Sequence, residues 1–178
     1  MGLIIIVSNY LVQFPVNKFQ LQDILTYGAF SYPIIFLITD LANRRFGKKE
    51  ARKIVYIGFA VGILLTIFVS TNFQDIISIR IALGSGTAFL VAQLVDIEIF
   101  QRLRKGKWFV APITSSIIGS IIDTFLFFSI AFLGTGISWI TLAFGDLSVK
   151  FLMAFLMLIP FRLLIFKIRD LNAKKYLA

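Results

Sequence analysis

Fifteen of the eighteen Lys and Arg residues gather in three clusters, at 44–53, 102–107 and 162–175, with long apolar runs between them. Lys18, Arg80 and Lys150 stand outside the clusters. Short loops left on the cytoplasmic side of a membrane collect Lys and Arg, so a basic cluster after every second apolar run sets both the class of the chain and its orientation. The reading is a polytopic membrane protein whose C-terminus is cytoplasmic.

Composition bears on the same point. A chain of 178 residues that is 58% hydrophobic, with mean hydropathy +0.90, has more apolar surface than one soluble core can hide, so much of it must face lipid. The formal charge of +9 then needs no nucleic-acid partner, because the cationic clusters lie where topology and anionic head groups place them. There is no cysteine and no histidine, which excludes a disulfide framework, thiolate catalysis and the usual imidazole metal sites and proton relays. No metal, cofactor or catalytic residue is expected. An intramembrane enzyme would need a base beside its nucleophile, and Ser and Thr here have no histidine to serve them, so proton chemistry falls to carboxylates.

A crossing takes roughly twenty apolar residues. Runs at 24–42, 54–73, 76–100, 108–133 and 137–166 qualify, and a shorter one at 3–14 makes six. The start of the chain is too uncharged for a typical signal peptide. No run alternates as a barrel strand would, so the fold class is all-α: a six-helix transmembrane bundle forming one domain over 1–178. Loops 43–53 and 101–107 and both termini are cytoplasmic; loops 15–23, 74–75 and 134–140 face outward. Pro33 and Pro160 fall inside spans, where each removes a backbone donor. Gly58 with Gly62, and Gly84 with Ala88 and Ala92, form small-residue stripes that suit close helix contact within the bundle, a homo-oligomer face being the alternative.

Ionisable groups at membrane depth are costly and usually face a cavity or a partner. They sort into two layers. Toward the cytoplasmic ends lie Asp40, Gln93, Asp96 and Glu98, with Asp40–Arg44 and Glu98–Arg102 at the four-residue spacing of same-face ion pairs. Asp40, Gln93 and Asp96 sit deeper than the other charges there and are candidates for an inner gate or a proton-coupling site. The outer layer holds Asn9, Gln13, Tyr27, Arg80, Asp123, Asp146 and Lys150. Asp123 is about 22 Å up its helix from Trp108 and shares a face with Ser115 and Gly119. Pairing of Asp123 with Arg80, or of Asp146 with Lys150, is one reading of this layer; a polar substrate site is the other. A carboxylate offers two acceptors in one plane, which suits the adjacent N–H donors of a guanine-like edge, and an aromatic ring can stack on such a heterocycle.

The segments SNYLVQFP at 8–15, YGAFSYPIIFLITDLANRRFG at 27–47, RIALGSGTAFLVAQLVDIEIFQRLR at 80–104, WFVAPITSSIIGSIIDTFLFFSIAF at 108–132 and GDLSVKFLMAFLMLIP at 145–160 closely resemble the queuosine-precursor transporters of bacterial inner membranes. The resemblance spans nearly the whole chain. It implies uptake of 7-cyano-7-deazaguanine, its aminomethyl relative, or both, salvaged for queuosine in tRNA. It also implies six helices arranged like the substrate-binding subunits of energy-coupling-factor vitamin transporters. Asn9, Gln13, Arg80, Gln93, Asp96, Asp123, Asp146 and Lys150 match polar positions of the family pattern. On this reading Asp123 accepts from the substrate's N–H groups, Asn9 and Gln13 complete the edge, Tyr27 or Phe30 stacks, and Arg80, Asp146 and Lys150 set the charge of the pocket. Uptake of another vitamin or nucleobase by the same scaffold is the neighbouring alternative.

No GxxxxGK[ST] motif is present, so this chain cannot itself hydrolyse ATP. Facilitated entry with later trapping, entry of a cationic precursor down the membrane potential, and proton symport are the coupling routes left. The first run lacks the AxxxA pattern suited to docking an ATPase module, so no such partner is expected, although a substrate-binding subunit of an ATP-driven transporter is the formal alternative.

Overall fold

In hydrocarbon every backbone N–H and C=O has to be satisfied within the chain. The computed structural model describes residues 7, 10, 11, 14, 27–66, 68 and 75–165. Among the described residues this requirement is met by helices alone: α1 (Gly28–Phe46), α2 (Lys48–Leu65), α3 (Ile76–Leu103), α4 (Val110–Phe132) and α5 (Trp139–Ile165). The expected first span, 3–14, lies almost wholly outside the described residues.

Local chemistry sets the helix ends. Asp75 begins α3 by accepting from the backbone N–H groups of Ile77 at 3.0 Å and Ser78 at 3.2 Å, which serves two of the donors a helix start leaves free. Pro112 falls in the first turn of α4, where its missing N–H costs nothing. At the other end of α4, Arg80 reaches across from α3 and donates to the carbonyls of Ile130 (Nε, 2.9 Å) and Leu133 (Nη2, 2.8 Å).

The stretch 43–53, expected as a loop, is helical on both sides of a single residue. Gly47, at φ 85°, ends α1 and starts α2, and its N–H returns to Asn43 O. Lys and Arg are good helix formers, and Glu50 in the first turn of α2 pairs with Lys53 of the next at 2.7 Å, so the basic cluster continues the helix while only Gly47 breaks it. α3, α4 and α5 match the expected spans to within three residues at each end.

α3, α4 and α5 are long and apolar enough to cross a membrane. Their 28, 23 and 27 residues rise roughly 42, 35 and 40 Å, against about 30 Å of hydrocarbon. Burial is reversed relative to a soluble protein. Leu152, Phe155, Ile159 and Leu163 form an exposed stripe along α5, whereas Asp40, Asn43, Gln93, Asp96, Asp123 and Lys150 are buried. A surface of this kind suits lipid, and the interior carries the polar chemistry.

The helices alternate in direction, so the basic residues of α1, α2 and α3 meet at one end of the bundle. There Glu98 of α3 ties down α2 through Lys48 at 2.5 Å and Arg52 at 3.4 Å, and holds Arg102 of its own helix at 3.6 Å. α3 and α4 pack along their whole lengths, with the expected small residues Gly84, Ala88 and Ala92 buried on α3. A Cβ at Gly84 would stand 3.2 Å from Phe127 O and 3.5 Å from Ala131 N, backbone atoms that move only if α4 moves. Gly84→Val is therefore expected to destabilise the protein by about 1–3 kcal/mol, read as a lower melting temperature in detergent.

Candidate functional site

One face of α4 carries Ser115, Ser116, Gly119, Ser120, Asp123 and Thr124, all buried. The expected shared face of Ser115, Gly119 and Asp123 is thus the interior face. Glycine at 119 lets α1 approach, since a Cβ there would meet the Phe36 ring at 2.6 Å. The polar groups along this face belong to two clusters, centred on Ser115 and Asp123. Eight residues separate these two positions, about 12 Å along the axis.

The cluster far from the basic end joins α4 to α5. Lys150 Nζ contacts Asp146 Oδ2 at 2.6 Å, Asp123 Oδ2 at 2.8 Å and Thr124 Oγ1 at 3.0 Å, and Thr124 donates to Asp146 Oδ2 at 2.8 Å. An ammonium group has three donors, and here it meets three acceptors. Lys150 and Asp123 are 3% and 4% exposed, so this is a buried ion pair with a second carboxylate beside it. Two carboxylates and one ammonium leave the cluster one negative charge in excess. Lys150 holds Oδ2 of each carboxylate.

Of the expected outer-site residues, Asp123, Asp146 and Lys150 come together. Asp146–Lys150 pairing is borne out, but Asp123 takes Lys150 rather than Arg80, whose guanidinium is spent on the carbonyls that end α4. Tyr27 and Phe30 are each 41% exposed at the far end of α1, and no described contact joins them to the cluster. Asn9 and Gln13 lie outside the described residues. Thr124 is the member that sequence reasoning missed. Its adjacency to Asp123 was the available signal, but a hydroxyl carries no charge to single it out.

The cluster nearer the basic end lies between α1, α3 and α4. Asp40, Gln93 and Asp96 are all buried, at 2%, 1% and 0% exposure. Asp40 does not pair with Arg44, whose Nη1 instead donates to Arg104 O at 2.9 Å; it accepts from Ser115 Oγ at 3.3 Å and faces Asp96. Gln93 Oε1 is 2.5 Å from Thr39 Oγ1, which also lies 3.1 Å from Ile35 O, so one hydroxyl proton serves two acceptors. Asn43, another residue not anticipated, donates from Nδ2 to Ile97 O at 3.0 Å.

Lipid-facing helices around two buried polar clusters define a helical membrane protein with a polar interior. The chain belongs to the family described as "putative vitamin uptake transporter", whose model matches residues 26–165. It is similar to the "probable queuosine precursor transporter" of Haemophilus influenzae, 35% identical over 88% of this chain and 79% of that one. The "queuosine precursor transporter" of Escherichia coli is 34% identical over 89% of this chain and 79% of its own length. A "probable queuosine precursor transporter" of Bacillus subtilis is 30% identical over 61% of this chain and 57% of that one. No solved structure matches the chain.

Removing one partner of a buried ion pair strands the other charge. Lys150→Met would leave Asp123 and Asp146 facing each other without a cation, and is expected to cost about 3–5 kcal/mol, seen as a strong loss of thermal stability in detergent. Restoring balance with Asp123→Asn and Asp146→Asn in the same chain is expected to recover much of that loss, because the stranded carboxylates are then gone.

Proposed function

We infer that the chain imports queuosine precursors, 7-cyano-7-deazaguanine or 7-aminomethyl-7-deazaguanine, across a bacterial inner membrane for tRNA modification. The observation that carries this reading is the buried Asp123–Lys150–Asp146 cluster with its excess of acceptors, taken with the similarity to the Haemophilus influenzae and Escherichia coli transporters. A 7-deazaguanine edge presents a ring N–H beside an exocyclic amine, and a carboxylate with one oxygen already held by Lys150 has the other to accept from it. Asp123 is the contact residue in this reading, Asp146 and Lys150 position it, and Asn9 and Gln13 complete the edge. Tyr27 or Phe30 would stack on the heterocycle from the outer end of α1.

The chain is a single transmembrane domain of six crossings, arranged like an energy-coupling-factor substrate-binding subunit, with both termini cytoplasmic and no ATPase partner. The basic end of the bundle, with Arg44, Arg45, Lys48, Lys49, Arg102 and Arg104, is the cytoplasmic end. The cluster around Asp123 then lies in the outer half of the bundle, the side from which the substrate arrives.

Asp123→Asn is the decisive variant. Lys150 keeps Asp146, so folding survives, while one acceptor becomes a donor. In bacteria that cannot make 7-deazaguanines, the intact chain is expected to restore queuosine in tRNA at limiting external 7-cyano-7-deazaguanine. Asp123→Asn is expected to reduce that uptake roughly 10- to 100-fold with normal membrane insertion, matching the loss of a charged hydrogen bond of about 1.5–3 kcal/mol. Uptake at the wild-type rate by this variant would refute the assignment of Asp123, and no rescue by the inserted intact chain would move the reading to a different vitamin or nucleobase.

A further inference from the structure

The two clusters on α4 differ in hydrogen-bond balance. Around Lys150 the donors of one ammonium and one threonine hydroxyl are all used. Around Asp96 they run out. Asp96 is fully buried, and neither of its oxygens has a hydrogen-bond partner among the described residues. The carboxylate beside it, Asp40, is an acceptor too, and the hydroxyl shared with that group, Ser115 Oγ, has a single proton claimed by both Asp40 Oδ1 and Pro112 O at 3.3 Å each. One turn beyond Asp40, Asn43 Oδ1 is a further buried acceptor without a donor.

Nor does any described cation form an ion pair with Asp40 or Asp96; Arg45 of α1 lies over the Phe46 ring, 5.2 Å from its centre. On α1, Arg44 is turned to Arg104 O. On α2, Lys48 and Arg52 are held by Glu98 of α3. On α3, Arg104 donates to Arg44 O at 3.0 Å and to Gln101. On α5, Arg162 lies 4.7 Å from the Trp108 ring centre. α4 contributes only Ser115 and Ser116. Two buried carboxylates side by side repel each other and are poorly solvated, whereas one proton placed between them supplies both the missing donor and half of the missing charge.

We propose that Asp40 and Asp96 form a proton-binding site that couples substrate import to proton entry. This rests on the transport reading above and adds its driving force. The proton forms an O–H bond to one carboxylate and is accepted by the other; it leaves by breaking that bond toward the basic end, which lies only about 10 Å from Asp96 along α3. Buried hydroxyls of Thr124, Ser120, Ser116 and Ser115 line the α4 face between the two clusters. A cavity of about 10 Å³, room for roughly one water, borders Asp40 and Ser116 between α1, α4 and α5.

The test uses the purified full chain in proteoliposomes with radiolabelled 7-cyano-7-deazaguanine and the membrane potential clamped to zero. Exchange of labelled for unlabelled substrate at equal pH on both sides checks the transport reading alone. With that exchange in hand, an alkaline interior is expected to drive accumulation of up to tenfold per pH unit, the limit for one proton per substrate. Asp96→Asn is expected to keep exchange and lose this accumulation, because an amide supplies a donor between the two side chains but cannot release a proton; Asp40→Asn should behave alike. Infrared difference spectra of the wild type are expected to show a buried protonated carboxyl band that disappears in the Asp40→Asn, Asp96→Asn double variant, a readout independent of transport. Absence of exchange by the wild type refutes the transport reading itself. Exchange without any response to the pH gradient overturns the proton site, and so does accumulation driven instead by a sodium gradient.

Discussion

Among the described residues, one ammonium group ties α4 to α5 in the half of the bundle far from the basic end. Lys150 carries its charge into a bundle whose outer surface is leucine, isoleucine and phenylalanine, where an unpaired cation would cost several kcal/mol. Asp123 and Asp146 answer it, Thr124 closes the network, and α4 is thereby pinned to α5 at a defined rotation. In lipid, apolar packing supplies little drive for one helix to choose another, so a buried polar bond of this kind carries unusual weight in setting how helices pair.

α4 is the axis of the polar interior. Its inward face is almost entirely small or hydroxyl-bearing, which allows α3 to pack along its length and leaves room for charged groups from α1, α3 and α5 to reach it. The two clusters it carries are chemically opposite. One sets a fixed lysine between two carboxylates. The other consists of carboxylates and amides with too few protons among them.

Much of the helical framework was legible in the sequence because lipid imposes strict rules. The lengths of the apolar runs placed α3, α4 and α5, and the spacing of Glu98 and Arg102 and of Asp146 and Lys150 foretold pairs that form. The loop at 43–53 misled because charge marks where a chain leaves the hydrocarbon, whereas helix ends answer to backbone geometry, and only Gly47 breaks the helix. Asp40 and Arg44 have the spacing of a pair, yet tertiary partners outbid it: Arg44 found a carbonyl on α3 and Asp40 turned to Ser115.

The sequence by itself determined the class of protein, the helical content and the identity of the groups that must be hidden from lipid, because hydropathy and charge act locally and add along the chain. Which hidden groups meet was decided only by the tertiary structure. The rotation of each helix about its axis and the register between neighbours place Lys150 between two carboxylates, send Arg80 to the end of α4, and set Asp96 against Asp40. Those choices depend on close contacts such as Gly84 against the α4 backbone and Gly119 under Phe36, geometric facts that no one-dimensional pattern carries.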